Sequence, residues 1–163
     1  MKKKLLKDAQ SAKWPFYTKK PLSTPEQVLY FRLKKALPEY EVLAQVQLSR
    51  FLGVKKGNNY QSWLNRINRM SADFVICSRD FSIVAVIELD DSSHQRQDRQ
   101  IADHKKDKAL ASAEINIVRW NVKSMPDLTT IKLESQKWTK AEVVKQGAAS
   151  FVPAHLSPPP QQS

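Results

Sequence analysis

Cysteine is almost missing from this sequence of 163 residues, which contains only Cys77. A single thiol can form neither an intrachain disulfide nor a zinc site made of several thiolates. Disulfide-stapled scaffolds and thiolate zinc modules are therefore excluded. Because Cys77 lies in an apolar run, we expect it to be a buried core residue.

Long apolar stretches are missing as well. The longest unbroken run is Ile83–Ile87, whereas a helix that crosses a bilayer needs roughly 20 apolar residues. Lysines at the start of the chain resemble those of a signal peptide, but Asp8 and Lys13 interrupt the apolar segment that should follow. The sequence thus predicts a cytoplasmic protein of one domain without a membrane segment.

Negative charge is also scarce, since 27 lysines and arginines stand against 16 acidic residues and give a net charge of +11. Residues 1–20 alone hold seven lysines and one aspartate. Such a segment binds polyanions because each neutralised phosphate releases counterions. We therefore expect a basic flexible arm over residues 1–20 and a nucleic acid as the partner, although charge alone does not separate DNA, RNA and an anionic membrane. A solvated tail that only aids solubility is the alternative.

The folded domain is predicted over residues 21–150, followed by a disordered tail rich in proline and glutamine over residues 151–163. It opens with a helix, because Ser23 and Glu26 have the spacing of a helix cap and apolar residues from Leu29 onwards recur at helical spacing. The chain therefore predicts one folded unit between two flexible segments.

The remaining elements are predicted from the periods of two and 3.6 residues in the apolar pattern. They are a strand over 41–48, a short helix near 60–69, strands over 72–77 and 82–89, a polar helix over 95–113, a strand over 115–120, and one or two helices over 126–147. Thr139 and Glu142 have capping-box spacing and would begin the second of the last two helices. The fold class is α/β (α+β): a helix, a three-stranded antiparallel meander, a helix, a further strand and a helical C-terminal extension.

Two acids close the most apolar strand. Glu88 and Asp90 are two residues apart on an extended chain, so their carboxylates leave the same face, and Leu89 can offer its backbone carbonyl. In the hairpin, Asp73 comes close to both. Converging carboxylates repel one another unless they share a cation, and Mg²⁺ prefers oxygen ligands. The pattern predicts three converging carboxylates around a Mg²⁺ (or Mn²⁺) ion; solvated acids at strand ends are the alternative.

Glu26 and His94 are further candidates for the site. Glu26 lies on a helical face that is otherwise apolar, so it either has a partner in the site or caps the helix. His94 follows the acid cluster by four residues, where an imidazole can act as a general base or contact a phosphate. An exposed loop histidine is the alternative. The candidate catalytic residues are therefore Glu26, Asp73, Glu88, Asp90 and His94.

Basic side chains near these acids are candidates for binding nucleic acid. Arg66 and Arg69 directly precede the predicted strand that contains Asp73, where their side chains can bind a phosphate backbone. Trp63 beside them either stacks on a base or belongs to the core. Lys105 and Lys106 of the polar helix either approach a scissile phosphate or coat a solvent-exposed face.

Three segments carry a resemblance to a known family: Thr24–Glu26, Ala72–Val75 and Ile87–His94. Together they resemble the bacterial family called domain of unknown function 2726, over a span from about Pro21 to Trp120. That family looks like a branch of the PD-(D/E)XK nucleases, near the very-short-patch-repair endonucleases, with a restriction-endonuclease-like fold. The resemblance implies Mg²⁺-dependent hydrolysis of phosphodiester bonds in DNA.

The resemblance also implies roles for individual residues. Asp73 and Glu88 would ligate the metal through carboxylates and Leu89 through its carbonyl. Glu26 would support the site through water, and His94 would match the histidine of the repair nucleases.

One position departs from the superfamily pattern. The lysine expected two residues after Glu88 is Asp90, so His94 and a helix lysine, Lys105 or Lys106, are the candidates for the missing proton acceptor and cation. A second metal bound by Asp90 is the alternative. A non-catalytic DNA-binding or accessory module is therefore the second hypothesis, and a protein-interaction domain that meets an acidic partner through its basic arm is the third. A protein partner that supplies specificity is compatible with the first two.

Overall fold

The structure, a computed structural model, describes residues 14–91 and 97–149, with only the backbone for 97–100 and 139–149. Residues 14–20 have no regular secondary structure and are exposed. The rest of the predicted arm, residues 1–13, and the predicted tail, residues 151–163, lie outside the described residues.

Helix α1 spans Thr24–Ala36 and begins at the predicted place. Ser23 and Glu26 form a capping box there, which satisfies backbone N–H groups that have no partner within the helix. Leu29 and Leu33, one turn apart, are fully buried. The predicted first helix is confirmed.

Four strands form one sheet in the order β1-β2-β3-β4: β1 (Glu41–Gln47), β2 (Ser71–Cys77), β3 (Ile83–Asp90) and β4 (Asn116–Asn121). The first three pair antiparallel, which confirms the predicted hairpin and meander. Strand β4 pairs parallel to β3. The apolar strand β3 thus lies in the interior of the sheet, as its sequence predicts.

Helices cover both faces of the sheet. Alternate residues of β3 face opposite sides, so Ile87 packs with α1 and with Ile131 and Trp138 of α4 (Leu128–Ala149), whereas Val86 packs with Leu110 of α3 (Gln97–Ser112). The segment between β1 and β2 contributes to the second face and contains α2 (Tyr60–Leu64) and a 3-10 turn (Leu48–Arg50). A further 3-10 turn, Val122–Ser124, follows β4.

The C-terminal helix differs from one prediction. Helix α4 continues without a break through Thr139 and Glu142, so no helix begins there and the predicted capping box is wrong. The pattern was misleading because threonine and glutamate are also tolerated inside a helix, and no proline or glycine interrupts the chain before Gly147. None of the described helices is long and apolar enough to cross a membrane.

Candidate active site

Asp73 and Glu88 lie opposite each other at one end of the sheet. The register pairs Phe74 with Ile87, so the next step along this antiparallel pair sets Asp73 against Glu88. The backbone N–H of Leu89 donates to Asp73 Oδ2 at 2.8 Å. The hairpin therefore joins the two carboxylates that lie 15 positions apart in the sequence.

Glu88 is a buried carboxylate with one occupied oxygen. It is 5% exposed, and Lys106 of α3 brings its Nζ to 2.6 Å from Oε2. The other oxygen, Oε1, is buried and accepts no hydrogen bond from the part of the chain that the structure describes. A buried oxygen left without a donor costs about 1–3 kcal/mol. Glu88 therefore retains a buried acceptor that no donor from residues 14–91 and 97–149 occupies.

The pKa values of both carboxyl groups reflect this burial. Desolvation raises the pKa of Glu88 to about 7, against the lowering effects of the hydrogen bond and charge of Lys106. Desolvation also raises the pKa of Asp73, although the N–H of Leu89 and the charge of Lys106 lower it. Like charges add to these shifts: the carboxylate of Asp73 raises the pKa of Glu88, and that of Glu26 raises the pKa of Asp73. One lysine thus leaves the negative charge of the pair incompletely balanced.

This donor set fits a hard divalent cation. Mg²⁺ is usually held by one or two carboxylates and keeps several waters, and Asp73 and Glu88 supply such a pair. A cation near Glu88 Oε1 would give that buried oxygen the partner it lacks among the described residues. No group of three or more His, Cys, Asp or Glu side chains in residues 14–91 and 97–149 is arranged to hold a metal. The remaining ligands would therefore be backbone oxygens and water.

Asp90 does not join the other two carboxylates. Its side chain is 51% exposed, and Oδ1 lies 3.5 Å from the guanidinium of Arg119 on β4. Arg119 also bonds Asp107 of α3. The predicted convergence of three carboxylates is therefore wrong in its third member, because a neighbouring strand offers Asp90 an arginine that the sequence pattern could not place.

Glu26 caps its helix and also contacts a second residue, Gln45. Its Oε2 accepts from the backbone N–H of Ser23 at 2.6 Å and from the Ser23 hydroxyl at 2.5 Å, so it caps α1. Its Oε1 accepts from the side-chain amide of Gln45 at 2.5 Å, and the same amide lies 3.4 Å from Asp73 Oδ1. The first turn of α1 is thereby linked to the carboxylate pair.

The predicted nucleic-acid-binding residues lie in different surroundings. Arg66 and Arg69 are exposed, and the guanidinium of Arg66 lies 4.2 Å from the centre of the Trp63 ring. Trp63 is 47% exposed, so it is not a core residue. Lys105 is exposed, whereas its neighbour Lys106 turns inward to Glu88. His94 lies outside the described residues.

Sequence reasoning missed two residues of this site. Gln45 was placed only among the polar residues of an alternating strand, and its value of φ, 52°, has no signal in the sequence. Arg119, beside the site, lies in a strand that is predicted from its apolar residues, and no local pattern indicates that it pairs with Asp90 and Asp107. Both depend on strand pairing rather than on local pattern.

The fold and the site define a mixed α+β protein with a buried glutamate, a half-buried aspartate and a lysine together at one end of a four-stranded sheet. Residues 18–136 match the family described as protein of unknown function (DUF2726), and the chain belongs to this family. No curated protein matches the chain, and no solved structure does.

Proposed function

We propose that this protein is a metal-dependent nuclease that hydrolyses phosphodiester bonds in DNA. The observation that carries the proposal is the buried Oε1 of Glu88 beside Asp73, which has no hydrogen-bond partner in the part of the chain that the structure describes. Interiors rarely leave such an oxygen without a donor, and a bound ion is one of the partners that can satisfy it. The proposal includes a cytoplasmic location and a restriction-endonuclease-like core, in keeping with the resemblance of the sequence motifs to PD-(D/E)XK nucleases.

Asp73 and Glu88 would hold Mg²⁺ or Mn²⁺, with the backbone carbonyl of Leu89 as a third ligand. When bound, such an ion polarises a phosphoryl oxygen and lowers the pKa of a coordinated water. The N–H of Leu89 keeps Asp73 in a fixed orientation, which a ligating carboxylate needs. Glu26 would contact the site through water from its position beside Gln45.

Lys106 is the residue that we assign to the role of the missing superfamily lysine. It reaches the carboxylate pair from α3, whereas Lys105 is exposed. A cation at this place offsets charge that develops on a phosphate in the transition state. In this scheme, Asp90 occupies the usual lysine position without disturbing the site because Arg119 neutralises it. The proton acceptor for the attacking water is His94 in this proposal.

Nucleic acid would be held by the basic residues around the site. Arg66 and Arg69 would contact the phosphate backbone, with Lys105 and the arm of residues 1–20 as further contacts. Arg69 lies four residues before Asp73, so the Cα atoms of the two residues are at most about 14 Å apart. Such contacts give affinity without sequence specificity, which a protein partner would then have to supply.

The test is cleavage of plasmid DNA, linear DNA and RNA by the full chain with Mg²⁺ or Mn²⁺. Asp73→Asn and Glu88→Gln should each reduce cleavage at least about 100-fold, because metal ions contribute several kcal/mol to the transition state. Glu39→Gln is the matched control, since Glu39 is an exposed acid outside the site. DNA affinity measured in parallel should change little in any variant.

A DNA-binding module without catalysis is the second candidate, and the Lys106–Glu88 ion pair favours it. That pair already neutralises one carboxylate without a metal. This alternative predicts DNA binding without cleavage of any substrate in either metal. It also predicts that Asp73→Asn leaves affinity unchanged and that loss of Arg66 and Arg69 weakens it at all sequences alike.

A further inference from the structure

Gln45 has an uncommon backbone conformation for a residue inside a strand. Its φ of 52° lies in the left-handed region, which crowds a side chain with a Cβ and favours glycine. Strands β1 and β2 pair Ala44 with Phe74 and Val46 with Ala72. The position between these pairs sets Gln45 against Asp73, so the irregularity falls at the candidate active site.

The side chain of Gln45 joins two carboxylates. Its amide nitrogen donates to Glu26 Oε1 at 2.5 Å and lies 3.4 Å from Asp73 Oδ1. The other oxygen of Asp73 accepts the N–H of Leu89. A glutamine amide offers two N–H donors and no charge. It can therefore orient both carboxylates without competing with a cation for their negative charge.

Gln47 shows what an ordinary glutamine does in the same strand. It is two residues further along, is also exposed, and donates to the backbone oxygen of Asn68. Unlike Gln45, it is not among the described residues with positive φ. The strained backbone of β1 therefore coincides with the glutamine that contacts carboxylates, and not with the one that only stabilises a loop.

We propose that Gln45 is a positioning residue of the metal site, which orients the Asp73 carboxylate and ties Glu26 to it. The inference rests on the proposed function, because orientation of Asp73 matters only if that carboxylate binds a ligand. Strained backbone conformations persist where the surrounding structure enforces them, and they concentrate at functional sites. With the left-handed backbone conformation at Gln45, its side-chain amide contacts the carboxylates of both Glu26 and Asp73.

The experiment compares Gln45→Ala and Gln45→Gly with Gln47→Ala in the full chain. Mn²⁺ affinity is measured by calorimetry without DNA, and the melting temperature is measured without metal. Both Gln45 variants should bind Mn²⁺ about ten-fold more weakly, as after the loss of other groups that orient a metal ligand. Gln45→Gly should melt at a higher temperature than Gln45→Ala, since glycine adopts positive φ without crowding. Gln47→Ala should keep wild-type Mn²⁺ affinity.

These readouts separate the positioning role from a structural one and from the proposed function. If wild type binds Mn²⁺ and both Gln45 variants bind it equally well, the positioning role is refuted and the metal site stands. If affinity falls in Gln47→Ala to the same extent, the effect is structural and the positioning role is refuted as well. If wild type binds no Mn²⁺ at all, the proposed metal site fails and the role of Gln45 fails with it.

Discussion

The two ends of the β2–β3 hairpin hold carboxyl groups in opposite environments. At one end, desolvation raises the pKa of Glu88 to about 7. At the other, in the connecting turn, the hydroxyl of Ser78 and the backbone N–H of Ser82 bind Asp80 and lower its pKa to about 2. Asp80 is exposed and its carboxylate accepts these donors, whereas Glu88 is buried and one of its oxygens has no partner among the described residues.

This contrast separates a structural acid from one suited to a ligand. The turn supplies Asp80 with donors locally, from Ser78 and Ser82, and its carboxylate remains exposed. The site end instead keeps Glu88 in surroundings that disfavour its charge, with a lysine as the only cation that bonds it among the described residues. Groups with strongly perturbed pKa values and a specific charge partner are typical of functional sites.

The contrast depends most heavily on Lys106, and Lys106→Met should have the largest effect on stability. Removal of one partner from a buried ion pair leaves an uncompensated charge and costs about 3–5 kcal/mol. We expect a loss of this order at pH 8, where Glu88 of the wild-type protein is ionised, and a much smaller one at pH 5, where Glu88 is protonated with or without the lysine. Urea unfolding at both pH values measures the difference.

Lys105→Met is the matched control, because Lys105 is the exposed neighbour on the same helix. It should leave the free energy of unfolding unchanged at both pH values. An equal loss for Lys106→Met at pH 5 and pH 8 would mean that Lys106 stabilises the fold by packing rather than by charge.

The next effect is the pH dependence of stability that Glu88 imposes on the metal-free protein. Because its pKa is higher in the folded state, the folded protein binds this proton more tightly than the unfolded chain does. The stabilising contribution is therefore complete below pH 4.5 and is lost as the pH rises through about 7. The shift from 4.5 to about 7 corresponds to about 3 kcal/mol.

Chemical unfolding of wild type and Glu88→Gln between pH 4 and 8 isolates this contribution, with all solutions treated with a chelator. Wild type should lose stability relative to Glu88→Gln as the pH rises across this window. If the free energies of unfolding of wild type and Glu88→Gln change with pH in parallel, Glu88 has the same pKa in the folded and unfolded states, and the proposed difference between Glu88 and Asp80 is refuted.

The smallest effect belongs to the turn. A lowered pKa means that the contribution of Asp80 is present above pH 3.8 and is lost as the pH falls through about 2, opposite in direction to that of Glu88. Asp80→Asn should slightly lower the melting temperature at neutral pH and leave Mn²⁺ affinity unchanged. A clear loss of Mn²⁺ affinity in this variant would show that the two ends of the hairpin are not independent.

Local pattern was sufficient for most of the secondary structure. The capping spacing of Ser23 and Glu26, the alternation of β1 and the apolar runs of β2 and β3 each predicted an element that the fold contains. Such signals work because they report which side of an element meets the core. The pattern at Thr139 failed because the same residues are compatible with a cap and with a helix interior.

The site was predicted in part, for a reason visible in individual residues. Asp73 and Glu88 could be brought together from sequence because, in an antiparallel hairpin, the start of the first strand lies beside the end of the second. The contact between Asp90 and Arg119 could not be predicted from sequence, since it depends on the parallel strand β4, which follows α3 in the chain. Lys106 was one of two adjacent candidates, and the orientation of α3 decides that it, and not Lys105, reaches Glu88.

The sequence by itself thus determined a basic α+β chain with acids at the ends of its apolar strands, because composition and periodicity are local properties. Tertiary structure alone decided which of those acids are buried, which cation meets each of them, and that Gln45 adopts positive φ between two carboxylates. Burial and charge pairing depend on residues far apart in the chain, and the energies of both depend on how much water the packed fold leaves at each group.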